Sequence, residues 1–279
     1  MKKRKNTKTH KAFRSTQWGL KPESLELIAE EPLLIRVDEK PYVTVMRTPG
    51  EELYHAAGFC LGEGIIDSRD DLDNIGYDEY SDPNVIDVWL RPERRDEIRG
   101  ILRRRSFISQ SSCGICGKQL VEDLFHKLTP VENSLEIDVD RIFDCITMLS
   151  EKQKFYRSTR GSHAALLLDD RLSAIAFAED IGRHNALDKT IGKALMTGQL
   201  FNGKVLVLSS RNSQELMQKA ARAQIQMIIS YSRPTDLAVE LAKALNMTLV
   251  FPTDKSGLAI VCGETRIGTT NAKAAYEFM

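Results

Sequence analysis

Val205-Leu206-Val207-Leu208-Ser209-Ser210-Arg211-Asn212-Ser213 opens the stretch that decides the fold. An apolar run ends in hydroxyl residues and passes into helical periodicity from Ser213 to Ala223, where Asn212 and Glu215 are spaced for a capping box. The pattern then repeats. Met227 to Ser230 reads as a strand, Thr235 to Leu245 as a helix and Thr248 to Phe251 as a strand. This βαβαβ order predicts a parallel sheet covered by helices. Upstream, Asp140 to Leu149 places Ile142, Phe143, Ile146 and Leu149 on one helical face. Ala164 to Leu168 and Ala174 to Ala178 read as paired strands, and Asn185 to Met196 as a helix ended by Gly198.

The first half has a different grain. Pro32 to Val37 and Tyr42 to Met46 read as a hairpin around Asp38-Glu39-Lys40. Thr48-Pro49-Gly50-Glu51-Glu52 starts a helix that stops near Gly62-Glu63-Gly64. Val85 to Leu90 is another strand, and Arg94 to Arg105 a basic amphipathic helix. From Ser106 to Leu120 neither period fits, so the segment reads as a mobile loop. The expected class is α/β, α+β overall. Residues 1–24 form a basic disordered tail, 25–134 a smaller N-terminal α+β domain ending in the 106–120 loop, and 135–279 a C-terminal α/β domain.

The chain has 279 residues, 42% apolar and 28% charged, enough for two packed units. Its 39 Lys and Arg balance 39 Asp and Glu, which weighs against a nucleic-acid binder. No apolar run has the length of a membrane span, and the basic start lacks an apolar signal core. Five cysteines, an odd number, fit reduced thiols in the cytoplasm.

Two features carry chemistry. Cys113-Gly114-Ile115-Cys116 is the only CxxC, so structural zinc lacks a second ligand pair. Glycine after each cysteine argues against the helix start that activates a thioredoxin-type thiol. A loop presenting nucleophilic sulfur is the remaining reading, with Arg103, Arg104 and Arg105 upstream to favour thiolate. Zinc deaminase chemistry fails directly: no histidine has Glu two residues on, and Ser112 precedes Cys113. The second feature is a pair of strand-to-helix turns, Ser209 to Ser213 and Ser230 to Thr235. Each sets hydroxyls and an arginine at a helix start beyond a strand's carboxyl end, where open α/β sheets bind anionic ligands. His163 and His184 stand on the approaches to the same region, with Asp188 one helical turn beyond His184. Simple helix capping is the plainer reading of such turns.

On these residues the chain resembles the formate dehydrogenase accessory sulfurtransferase family. The matching stretches include Met46-Arg47-Thr48-Pro49, Glu63-Gly64-Ile65-Ile66, Cys113 to Gly117, His163-Ala164-Ala165, Asp180 to Lys189, Ser209-Ser210-Arg211 and Pro234-Thr235. The resemblance implies a persulfide sulfur carrier, with Cys113 carrying the sulfur and Cys116 assisting. A cysteine desulfurase loads it, and the acceptor is the molybdenum or tungsten bis(molybdopterin guanine dinucleotide) cofactor of formate dehydrogenase. It also implies a cytidine-deaminase-like three-layer C-terminal domain without deaminase zinc, and a homodimer. The guanine-dinucleotide site is expected to include Thr253, Asp254, Lys255, Ser256, Gly257 and Leu258, joined by Ser209, Arg211, Ser230, His163 and His184, with GDP or GMP as mimics and no metal. Arg160 and Leu258 depart from the glycine and the basic residue usual in the family. The rival readings are a nucleotide-binding assembly protein with incidental cysteines, and a dithiol oxidoreductase.

Overall fold

The computed structural model describes residues 5–77, 82–98, 128–253 and 257–268. The segment that reads as a disordered basic tail is a hairpin instead. Thr7–Thr16 (β1) pairs antiparallel with Gly19–Ile28 (β2) through ten residue pairs. Its turn is closed by Thr16, whose hydroxyl donates to the Gly19 carbonyl at 2.9 Å. Basic composition misleads here because exposed β positions tolerate Lys and Thr as readily as a tail does.

Glu31–Val37 (β3) and Lys40–Arg47 (β4) form the expected hairpin. Asp38 and Glu39 both take positive φ, 47° and 65°, the twist that suits a two-residue turn. Glu52–Glu63 (α1) follows, and Gly64 ends it at φ 76°. Leu72–Tyr77 (β5), unsignalled by periodicity, and Val85–Leu90 (β6) complete a sheet of order β4-β3-β6-β5. Pro92–Glu97 (α2) starts the expected basic helix, whose continuation from residue 99 lies outside the described residues.

The second half is built on a six-stranded sheet. Ile137–Asp138 (β7) leads into Val139–Lys152 (α3) and Lys154–Thr159 (α4). Arg160 ends α4 at φ 55°, a conformation glycine adopts at less cost. His163–Leu168 (β8), Ala174–Asp180 (β9) and Arg183–Met196 (α5) follow. The βαβαβ unit comprises Val205–Arg211 (β10), Gln214–Arg222 (α6), Met227–Ser232 (β11), Asp236–Ala244 (α7) and Thr248–Pro252 (β12). Leu258–Cys262 (β13) closes the order β13-β12-β11-β10-β8-β9, and Ile267–Gly268 (β14) pairs with β7. β10, β11 and β12 run parallel, as expected. Side chains alternate across the pleat. Val205 and Val207 pack with Ile142 and Leu149 of α3, whereas Leu206 and Leu208 pack with α5, α6 and α7.

The second core continues into the first half, joining Leu33, Ile35 and Ile86 of the small sheet to Leu187 and Ile191 of α5. α1 lies between, packed along α5. Two glycines permit the approach. A Cβ on Gly58 would stand 1.8 Å from the Asp188 carbonyl oxygen, and one on Gly192 would stand 1.8 Å from that of Tyr54. Polar groups clamp the same seam. Lys189 Nζ reaches Asp180 and the Thr48 carbonyl, each at 2.7 Å. Lys219 Nζ donates to both Asp188 carboxylate oxygens, at 2.8 and 3.0 Å. Asn185 donates to the Met46 carbonyl and to Asp180. His55 is fully buried on α1, with Asn185 as its polar neighbour. Burial, then the charges of Lys189, Lys219 and Arg47, push its pKa well below the ordinary histidine value.

Gly192→Ala is expected to lower stability by about 3 kcal/mol, the upper part of the range for overpacking a tight interior, read as the urea midpoint. A change under about 0.5 kcal/mol would show that the helices separate freely. His55 generates a pH effect of defined sign. Its folded pKa lies below its unfolded value of about 6.5, so below that pH the unfolded chain binds a proton the folded chain refuses. Stability should therefore fall as pH drops from about 6.5, by up to ~1.4 kcal/mol per unit for this group. Urea titrations of wild type and His55→Leu at several pH values between 7 and 5 check this: the variant's dependence should be flatter.

Candidate functional site

Three helices begin at one edge of the large sheet. α5 follows β9, α6 follows β10 and α7 follows β11, and these three strands point the same way. None of the three starts has a side-chain cap: Gly182, Ser213 and Thr235 occupy the cap positions without such a bond. Unmatched amides at helix starts favour an anion. The capping box expected from Asn212 and Glu215 does not form, because the helix starts one residue later, at Ser213. Asn212 Nδ2 turns to the Met217 sulfur at 2.8 Å, and Glu215 turns to His184.

The two hydroxyl-rich turns come together, with Thr235 N donating to the Asn212 carbonyl at 3.0 Å. Their hydroxyls divide. Ser209 Oγ accepts from Ala164 N at 2.8 Å, and the buried Ser230 hydroxyl donates to the Ser232 carbonyl at 3.0 Å. Both therefore brace the sheet edge. Arg211 is exposed beside Ser232. Thr253 and Gly257 flank the loop joining β12 to β13, where Thr253 N donates to the Gly257 carbonyl at 2.8 Å, and Leu258 starts β13 opposite Pro252. Asp254, Lys255 and Ser256 lie outside the described residues, as do Cys113, Cys116 and Arg103 to Arg105.

His163 starts β8 opposite Asp180. Burial, then the positive charge of Arg183, pushes its pKa down, and His184 adds to the effect. The two histidines thus share one neighbourhood. His184 Nε2 lies 2.8 Å from Glu215 Oε2, bridging the starts of α5 and α6. That contact holds the Glu215 carboxyl below its usual range. Asp188, one turn from His184, takes Lys219 as its partner. Arg183 Nε, Ser213 Oγ and Asn212 Oδ1 are buried without a hydrogen bond. Sequence reading placed Asn212 and Ser213 within the first hydroxyl-rich turn and did not single out Arg183. A buried guanidinium nitrogen left unmatched is costly, and an anion at this edge would satisfy it. Among the described residues no three His, Cys, Asp or Glu come together as a metal site.

The remaining thiols are poor nucleophiles. Burial pushes Cys60 up to about 12 and Cys145 to about 11, and it raises Cys262 as well. Only the thiolate attacks.

The FdhD/NarQ family model matches residues 28–268. The chain is 35% identical to the sulfur carrier protein FdhD of Streptomyces coelicolor, over 94% of this chain and 95% of that one. It is 37% identical to the protein of the same name from Mycolicibacterium paratuberculosis, over 89% and 93%. A solved structure described as a formate dehydrogenase accessory protein, from Desulfotalea psychrophila, superposes with a TM-score of 0.75 at 20% identity. It covers 95% of this chain and all of that one, which shows the shared mixed α/β fold. The residues matched, on both sides of the α1–α5 seam, establish that the chain belongs to the FdhD/NarQ family.

Proposed function

We propose that this protein is a sulfur carrier in the maturation of formate dehydrogenase, with Cys113 carrying the sulfur as a persulfide. The observation that carries this reading is the burial and raised pKa of Cys60, Cys145 and Cys262, which leaves the CxxC pair to supply a reactive sulfur. The relatives' name, sulfur carrier protein, supports it.

In loading, the Cys113 thiolate attacks the outer sulfur of a cysteine desulfurase persulfide. One S–S bond forms, another breaks, and the desulfurase thiolate leaves. In delivery, the Cys116 thiolate attacks the Cys113 sulfur and expels sulfide. Two electrons come from the cysteine pair, which closes as a disulfide and is reopened by an external dithiol. The acceptor is the molybdenum or tungsten guanine-dinucleotide cofactor of formate dehydrogenase, handled here as a substrate. The uncapped starts of α6 and α7, with Arg183 and Arg211, favour its phosphates, and Asp254 offers a carboxylate to guanine.

Incubation with a desulfurase and cysteine should add about 32 Da to Cys113, read by peptide mass spectrometry. An unchanged mass contradicts the reading, as does a loss of about 2 Da as a disulfide with no +32 Da species at any time point. Cys113→Ala should abolish activation of formate dehydrogenase in a strain lacking its own accessory protein, and Cys116→Ala should be milder, because an external thiol can take its place in expelling the sulfide. For the anion edge, GDP should bind more tightly than ADP. Arg211→Ala should weaken GDP by about 1.5–3 kcal/mol, the range for a charge-assisted hydrogen bond. Calorimetry decides both: equal affinities remove the guanine preference, and an unchanged Arg211→Ala affinity moves the phosphates elsewhere.

A further inference from the structure

A cavity of about 550 Å³ lies against β9, away from the starts of α6 and α7. Phe155 and Phe177 give it an apolar wall. Its inner charges are already matched within the protein. Lys189 meets Asp180 and the Thr48 carbonyl, and Lys193 meets Glu51 at 3.0 Å. The Glu179 carboxylate accepts from Phe155 N and Tyr156 N, each at 2.9 Å, and from the Ser162 hydroxyl.

The backbone of β9 is not matched in this way. β9 is an outer strand of the six-stranded sheet, and β8 is its one strand neighbour among the described residues. Which of its groups face outward follows from β8. Ala164 N donates to Ser209 Oγ of β10, so the backbone groups of Ala164 turn away from β9. Ala164 stands opposite Glu179, and Leu166, two residues on, stands opposite Phe177. In an antiparallel pair such residues do not exchange hydrogen bonds, so Glu179 and Phe177 send their N–H and C=O groups to the outer side. Both residues line the cavity, and among the described residues no turn, loop or side chain bonds to those groups. Two donor–acceptor pairs about 7 Å apart on one line are what an extended peptide matches. A nucleotide or a metal ion offers no such alternation.

Charge narrows the occupant. At the rim, Lys152 and Lys154 are exposed and make no ion pair among the described residues, against the single acid Glu151. We propose that β9 receives an extended segment of a partner protein as a further strand of the large sheet. An apolar side chain of that segment rests on Phe155 and Phe177, and carboxylates two residues to either side reach Lys152 and Lys154. Alternate residues of a strand share a face, so the recognised pattern is acid-x-apolar-x-acid.

Fluorescence anisotropy on the full chain tests this with a fluorescein-labelled, C-terminally amidated peptide of sequence EVFVE. The peptide should bind saturably. Methylating the backbone nitrogen of its phenylalanine or of the following valine, one at a time, should weaken binding at least about tenfold in one case only, because successive amides of a strand face opposite sides. Lys152→Glu with Lys154→Glu should weaken EVFVE at least about tenfold, and the peptide KVFVK should recover the affinity on that variant, which also shows that the variant is folded. Absence of EVFVE binding at millimolar concentration overturns the proposal. An equal response to the two methylations refutes pairing with the β9 ladder, and failure of KVFVK to recover binding refutes the charge contact. Binding that occurs only as a dimer dissociates, followed by light scattering, assigns the edge to a second copy and overturns the proposal as well.

Discussion

The backbones of α1 and α5 approach so closely at Gly58 and Gly192 that neither position has room for a Cβ. Any side chain at either position collides with a carbonyl oxygen that its own helix holds in place. The approach is what turns two sheets with separate topologies into one packed body. It brings the small sheet's apolar face within reach of α5 and so merges the two sets of core residues. It also buries Lys189, Asp180, Lys219 and Asp188, which are tolerated only because each charge meets an opposite one at hydrogen-bond distance. Shape and charge at the seam therefore support each other, and neither half presents a finished surface alone.

The sheet edge where α5, α6 and α7 begin is positioned by the same seam. Asp180 ends β9 and accepts from Thr48 N in the first half, while the Thr48 hydroxyl accepts from Ile181 N. This exchange fixes the chain as it enters α5, and with it Arg183 and His184. The His184–Glu215 contact then ties that entry to α6. A residue of the small half thus sets where a cation of the large half stands.

Much of this was legible in the sequence. The βαβαβ unit, the β3–β4 hairpin and both ends of α1 were readable because apolar periodicity and glycine placement are local signals. β5 escaped because Leu72-Asp73-Asn74-Ile75-Gly76-Tyr77 buries little and so shows no alternation. The ribbon escaped because an exposed strand and a polar tail share a composition. At the site, the sequence reading grouped two turns that the structure does bring together, while the backbone partners of the Ser209 and Ser230 hydroxyls are tertiary and carry no local signal. Arg183 was hidden inside a motif, and only three-dimensional packing reveals that its Nε is left unmatched. The glycines of the seam look ordinary in sequence, since close approach is a property of two segments more than a hundred residues apart.

The three buried thiols have a consequence for fidelity. Sulfane sulfur migrates between any thiolates that can meet, so a protein handling it risks losing it to its own cysteines. At neutral pH a thiol with a pKa of about 12 exists as thiolate in only about one molecule in a hundred thousand. Cys60 adds steric enclosure to that rarity, since it is wholly buried. On the proposed persulfide route, the packing of α1 against α5 acts as insulation, closing an internal leak along which a labile sulfur could be trapped on a residue unable to pass it on.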